Sequence, residues 1–131
     1  MLVHQIGNSK ANLVERPDRF TGTVHWQVIS ESVDEKTAEV LAIFFEAGAR
    51  SRPQRHSAEE VLYVVDGRGV LAVENEVLFI RAGDIAVVPA GTWHWHGATR
   101  STGMCQIVVG LSGETEWLIA ENDEAKTMEL T

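Results

Sequence analysis

The chain has one cysteine in 131 residues, Cys105, so no disulfide can form within it. A reducing compartment is compatible with that count. Apolar runs long enough to cross a bilayer are missing, and the opening MLVHQIGNSKANLVERP has no apolar signal core. Positive charge is scarce: 11 Lys and Arg stand against 19 Asp and Glu, a net charge of −8 that argues against a broad phosphate-binding surface. Internal repeats, low-complexity blocks and a DNA-binding helix pair are also missing. The expectation is a soluble, cytoplasmic protein whose partner is a small molecule rather than nucleic acid or membrane. The negative charge does not forbid an anionic substrate, since one local cation can dominate a pocket.

What is present is enough for one core: 44% of the residues are hydrophobic, and this length suits a single domain. That domain is expected to span residues 1–131, with its core at about 20–119. Short apolar or alternating runs are divided by turn residues, with no helical period between them. Candidate strands are Gly22–Ile29, Ala38–Glu46, Val61–Asp66, Gly69–Val73, Glu76–Arg81, Asp84–Pro89, His94–Ala98, Gly103–Val109 and Thr115–Leu118. Gly67 and Gly69 suit a tight turn that reverses the chain, and Asn75 suits a hairpin tip. Glu121–Leu130 reads as a short helical turn. Many short strands without helices indicate an all-β sandwich or barrel.

One strand is apolar on both faces: Val40, Ala42 and Phe44 alternate with Leu41, Ile43 and Phe45. A sheet with one wet face should alternate apolar with polar residues. One side is therefore expected to face the barrel interior and the other a second sheet or subunit, which favours a homodimer. Cover by the N-terminal segment is the other reading.

Two segments share a grammar of glycines and metal-binding side chains. The first is Gly48, Gln54, His56, Glu60 and Gly67, or G-x5-Q-x-H-x3-E-x6-G; the second is Gly83, Pro89, Gly91 and His94, or G-x5-P-x-G-x2-H. Residues two apart on a strand project from one face, so Gln54 points with His56, Glu60 with Leu62 and Val64, and His94 with His96. Imidazole nitrogen and carboxylate oxygen together suit Mn, Fe, Co, Ni or Zn. Trp93 and Trp95 fall on the opposite face from the histidines, where they are expected to pack between sheets or subunits.

Together the segments resemble the paired motifs of the cupin superfamily, in its small single-domain, conserved-barrel form. The resemblance implies a double-stranded β-helix, or jelly roll. It implies a divalent transition metal (Mn, Fe, Ni or Zn) held by His56, Glu60 and His94. Gln54 stands where many cupins carry histidine, either as a fourth ligand or holding a metal-bound water. FTGTV at Phe20–Val24, HWHGAT and the later EWL add a similarity to bacterial cupins associated with carboxymuconolactone decarboxylase and to cupin-type hydroxynitrile lyases. In those lyases a Mn or Fe site and nearby histidines handle a cyanohydrin; His96 matches one such histidine and is a candidate general base, while Gln106 occupies a place where another histidine is expected. Leu62, Val64 and Gln106 are then expected in the substrate pocket. The function expected is a metal-dependent enzyme acting on a small molecule, leaning to dioxygenase-type oxidation because the set leaves metal positions open. A lyase or isomerase reaction, or a non-catalytic sensor, is the alternative.

Overall fold

β-Branched and aromatic residues in runs of four to seven fit a pleated surface better than a helix. In a computed structural model, which describes residues 1–118, they form twelve strands and no α-helix among those residues. A 3₁₀ turn at Asn8–Lys10 precedes β1 (Asn12–Leu13), β2 (Phe20–Thr21), β3 (Val24–Ser30) and β4 (Glu39–Phe45). Then come β5 (Arg50–Ser51), β6 (Gln54–His56), β7 (Glu60–Val73) and β8 (Glu76–Arg81). The series ends with β9 (Ile85–Val88), β10 (His94–Ala98), β11 (Met104–Gly110) and β12 (Thr115–Trp117). The helical turn expected over Glu121–Leu130 lies outside the described residues.

Every pairing is antiparallel. A first sheet runs β1-β3-β4-β11-β7-β9, and a second runs β2-β5-β10-β7-β8, with β6 bridging β10 and β12. Strand β7 belongs to both. Its first half pairs with β11 and β9, and its second half with β10 and β8. The result is the jelly-roll barrel expected of a chain with this strand pattern.

The reversing turn expected at Gly67–Gly69 is not there: β7 continues through it for 14 residues. A strand that long would extend about 45 Å if straight, so it has to bend to serve both sheets. The ladder to β11 skips Val65, a bulge, and Gly67 takes a φ of 85°. Bulge and left-handed residue swing the strand from one sheet into the other. A Cβ at Gly67 would overlap the Gly103 carbonyl oxygen. Gly67→Ala should therefore cost about 3 kcal/mol, from backbone strain plus displacement of the 103–104 backbone. Urea unfolding checks this; a midpoint within error of wild type would show that the corner does not need glycine.

The barrel interior holds Phe20, Val24, Leu41, Ile43, Phe45, Leu62, Val64, Leu71, Val88, Met104 and Val108 in one cluster. Parity along β7 is as the sequence indicates, with Glu60, Leu62 and Val64 buried and Tyr63 and Val65 outside. Trp95 and Trp93 do not pack between the sheets. They lie on the outer side of the second sheet, with the Arg50 guanidinium 4.5 Å from the Trp95 ring and Arg55 4.8 Å from Trp93. Cation–π stacking covers these rings without a second layer. Val73 pairs with Glu76 across the hairpin tip, where Asn75 adopts a φ of 68° that asparagine tolerates. No helix among the described residues is long and apolar enough to cross a membrane.

Candidate metal centre

Two strand starts and one strand end converge at one end of the barrel. His94 opens β10 and is paired with Gln54 of β6, so the two motifs meet in register although 40 residues apart in sequence. His56 closes β6, and Glu60 opens β7 with its side chain inward. The donor atoms of His56, Glu60 and His94 all lie within 4.8 Å of one another. His94 and Glu60 are buried and His56 is half-buried.

The second ring nitrogens explain why these donors face each other. His94 Nδ1 lies 2.9 Å from the Thr92 carbonyl oxygen. A carbonyl can only accept, so Nδ1 carries the hydrogen and Nε2 is turned to Glu60 Oε1 at 3.1 Å. His56 Nδ1 is 2.8 Å from the Thr115 hydroxyl, which turns its Nε2 to Glu60 Oε2 at 3.0 Å. That contact is not aligned as a hydrogen bond, and His56 Nε2 is buried without a hydrogen-bond partner. With His94 neutral and its hydrogen on Nδ1, the Nε2 lone pair points at the carboxylate, a repulsion that either a proton on the ring or a shared cation relieves. Burial on its own would raise the Glu60 carboxyl; with the rings presenting N–H to it, the contacts with His56 and His94 outweigh burial and hold the group well below the ordinary carboxylate range. A ready anion between two imidazole nitrogens, whose protons a cation would displace, is a donor set for a first-row divalent metal.

The other expected site residues are placed as follows. Gln54 is buried, with its amide nitrogen 3.5 Å from His96 Nε2. His96 stacks on His94, ring centroids 5.9 Å apart, and meets the edge of Phe45 at 5.7 Å. Burial pushes His96 down to about 4, despite the Glu60 charge nearby, so it is neutral at ordinary pH. A cavity of about 510 Å³ opens over these groups, with Gln54, His56, Glu60 and His96 at its base and Arg19, Glu31, Glu39 and Thr115 also on its polar side. Its apolar wall is Phe20, Trp26, Leu41, Ile43, Val108 and Trp117 rather than Leu62 and Val64. Leu62, Val64 and Gln106 are fully buried and do not line this cavity. Both amide atoms of Gln106 and Nδ1 of His96 lack hydrogen-bond partners.

Sequence patterns did not point to Thr115, Trp26 or Trp117 as members of this site. Thr115 reaches His56 only because β12 pairs with β6, a contact 59 residues long. The Trp26 signal was the inward parity of β3, where Val24 is fully buried.

An antiparallel jelly roll with a two-histidine, one-carboxylate cluster at its mouth defines the class as cupin-like. The comparisons make this definite: residues 41–111 match the family described as Cupin domain, and the chain belongs to that family. It is 30% identical to a (R)-mandelonitrile lyase of Granulicella tundricola, over 95% of this chain and 97% of that one. An acireductone dioxygenase of Pseudomonas aeruginosa is 36% identical over 65% of this chain, but the chain spans only 46% of that enzyme. Among solved structures, a cupin-like protein of Thermotoga maritima superposes with a TM-score of 0.72 at 28% identity, covering 86% of this chain and 90% of that one. A polyketide cyclase of Streptomyces resistomycificus shares the fold, with a TM-score of 0.74 at 14% identity, covering 95% and 92%.

Proposed function

We propose that this chain is a divalent-metal enzyme that cleaves a small 2-hydroxy compound, with a 2-hydroxy nitrile as the class to test first. The observation that carries the reading is the convergence of His56, Glu60 and His94 within 4.8 Å at the base of a cavity that His96 also lines. A divalent cation held by those three residues would supply Lewis acidity at a substrate oxygen.

The chain's own groups account for the rest. Trp26, Leu41, Ile43 and Val108 offer an apolar wall for an aryl or alkyl substituent. His96, neutral and facing the cavity, accepts the hydroxyl proton. The C–C bond to the nitrile carbon breaks, the hydroxyl carbon becomes a carbonyl, and the proton on His96 passes to cyanide to give hydrogen cyanide. No electron acceptor is consumed. The Gln54 amide nitrogen, 3.5 Å from His96 Nε2, holds the ring against the cavity, and a substrate hydroxyl reaching that nitrogen takes the place of this long contact.

A relative named (R)-mandelonitrile lyase, similar over 95% of the chain, supports this over the dioxygenase chemistry expected from the motifs. The dioxygenase reading retains the partial similarity to acireductone dioxygenases. Protein reconstituted with Mn, Fe or Zn should release aldehyde from mandelonitrile at equal rates in air and under nitrogen. Metal-dependent oxygen uptake with an acireductone, without aldehyde release from any 2-hydroxy nitrile, would move the assignment to the dioxygenase.

A further inference from the structure

Polar side chains sealed in a core normally find a partner for their donors and acceptors. A pair of groups behind the cavity departs from that rule. Gln106 is fully buried, and neither its amide oxygen nor its amide nitrogen is hydrogen-bonded. Nδ1 of His96 is buried and unpartnered as well. The barrel brings these atoms together from its two sheets. Gln106 sits on β11 between Ile43 of β4 and Val64 of β7, and shares their inward face. His96 sits on β10 opposite Leu71, another core residue.

The other contacts of the His96 ring are accounted for. His94 stacks on its face and the Phe45 ring stands edge-on to it. Ser51 Oγ accepts the main-chain N–H. The amide nitrogen of Gln54 lies 3.5 Å from Nε2. An amide nitrogen only donates, so Nε2 is the accepting atom. Burial keeps the ring neutral at ordinary pH, which puts its single hydrogen on Nδ1. A buried N–H needs an acceptor, and Gln106 holds the spare carbonyl oxygen. The Gln106 contact favours a proton on the His96 ring, as an accepting oxygen does and a donating amide does not. Glu60 favours it through its charge, but its two oxygens already face His56 and His94.

We propose that Gln106 is the positioning residue for His96: its amide oxygen accepts the Nδ1 hydrogen and holds the ring in the tautomer whose Nε2 lone pair faces the cavity. A small turn of the buried amide, which no other hydrogen bond restrains, closes the contact. In a neutral imidazole the partner of one nitrogen decides the role of the other. With Nδ1–H turned to Gln106, Nε2 is the basic atom. With Nδ1 left bare, the hydrogen can move to Nε2, where it blocks proton acceptance. Glutamine suits this place because it accepts a hydrogen bond without taking the proton itself. It lies behind the cavity wall and offers no atom to the three-residue donor cluster. The catalytic consequence rests on the reading of His96 as proton acceptor given above; the tautomer itself does not.

Nitrogen–proton correlation spectra of zinc-loaded protein, isotope-labelled in its histidine rings, test this. The chain has five histidines, and the His96 signals are those that vanish in His96→Asn. The wild type should show His96 with a hydrogen on Nδ1 and none on Nε2. Gln106→Met, similar in length but without the amide, should move that hydrogen wholly or partly to Nε2. The same variant should lower kcat for mandelonitrile by about tenfold or more, with KM within about twofold and zinc content unchanged. Gln106→Glu, which keeps an acceptor oxygen at the same reach, should keep a hydrogen on Nδ1. If Gln106→Met does not fold, the wild-type spectrum still decides. A lone hydrogen on Nε2 overturns the proposal and means that Gln54 turns its oxygen, not its nitrogen, to the ring. So does an Nδ1–H that survives Gln106→Met unchanged. The expected tautomer shift in a protein that cleaves no 2-hydroxy nitrile upholds the role of Gln106 and sinks the lyase reading, so the two failures are told apart.

Discussion

Replacing Glu60 and His94 together with alanine is expected to lower tightly held Mn, Fe or Zn from about one equivalent per chain to below about a tenth. Elemental analysis after desalting reads this directly. The wild-type arrangement holds its donors in place before any ion arrives: Thr92 and Thr115 fix the two rings, and the rings fix both carboxylate oxygens. Little reorganisation is left to oppose binding. In the double variant His56 and Gln54 remain, one imidazole and one neutral amide, without the anion that offsets the charge of a divalent cation. A second readout does not require turnover. Metal present at about 100-fold its Kd should stabilise the folded wild type by about 2.7 kcal/mol. Thermal melts with and without metal should therefore separate for the wild type and coincide for the variant. Equal metal in both proteins would mean that the cation sits elsewhere, and the function proposed above would lose its centre.

The limits of what the sequence reveals follow from how far apart the interacting residues are. His94 and His96 share a wall, as do Glu60, Leu62 and Val64, because a strand's period of two is a local property. The hairpin at Asn75 was legible for the same reason, needing only its two flanking runs. Strands β5 and β6 are two and three residues long, too short to show a period, and their single pairs to β10 form only when the barrel closes. The Gly67–Gly69 segment shows the limit most clearly. A reversing turn and a bulged corner use the same glycines, and the choice is made by distant neighbours, the Gly103 carbonyl and the Met104 side chain. Which inward residues line the cavity and which lie behind it is likewise a matter of depth. Alternation places Leu62 and Val108 on inner faces alike, yet Val108 reaches the cavity and Leu62 does not.

His96→Asn is expected to lower kcat by 10²- to 10⁴-fold, roughly the contribution of a positioned general base, while KM changes by no more than about fivefold. The substitution separates proton transfer from scaffolding. His96 offers no atom to the three-residue donor cluster, so metal content should stay at the wild-type level. Its main-chain N–H donates to Ser51 Oγ at 3.1 Å, a contact that asparagine retains. The ring does support His94 by stacking, and the melting temperature together with the metal content reports any loss of that support. A variant that folds, holds its metal and binds substrate but does not turn it over identifies His96 as the proton acceptor. If KM rises tenfold or more with kcat unchanged, His96 orients substrate and another group takes the proton. Glu60 is a poor substitute, since both its oxygens face histidine nitrogens and its depressed pKa makes it a weak base. Gln54 has no basic nitrogen, and Gln106 is sealed behind the cavity wall. Among the described residues that line the cavity, His96 is the neutral imidazole outside the metal cluster; Glu39, whose carboxyl burial raises, also lines it, so a Glu39→Gln variant on the His96→Asn background reads any residual turnover.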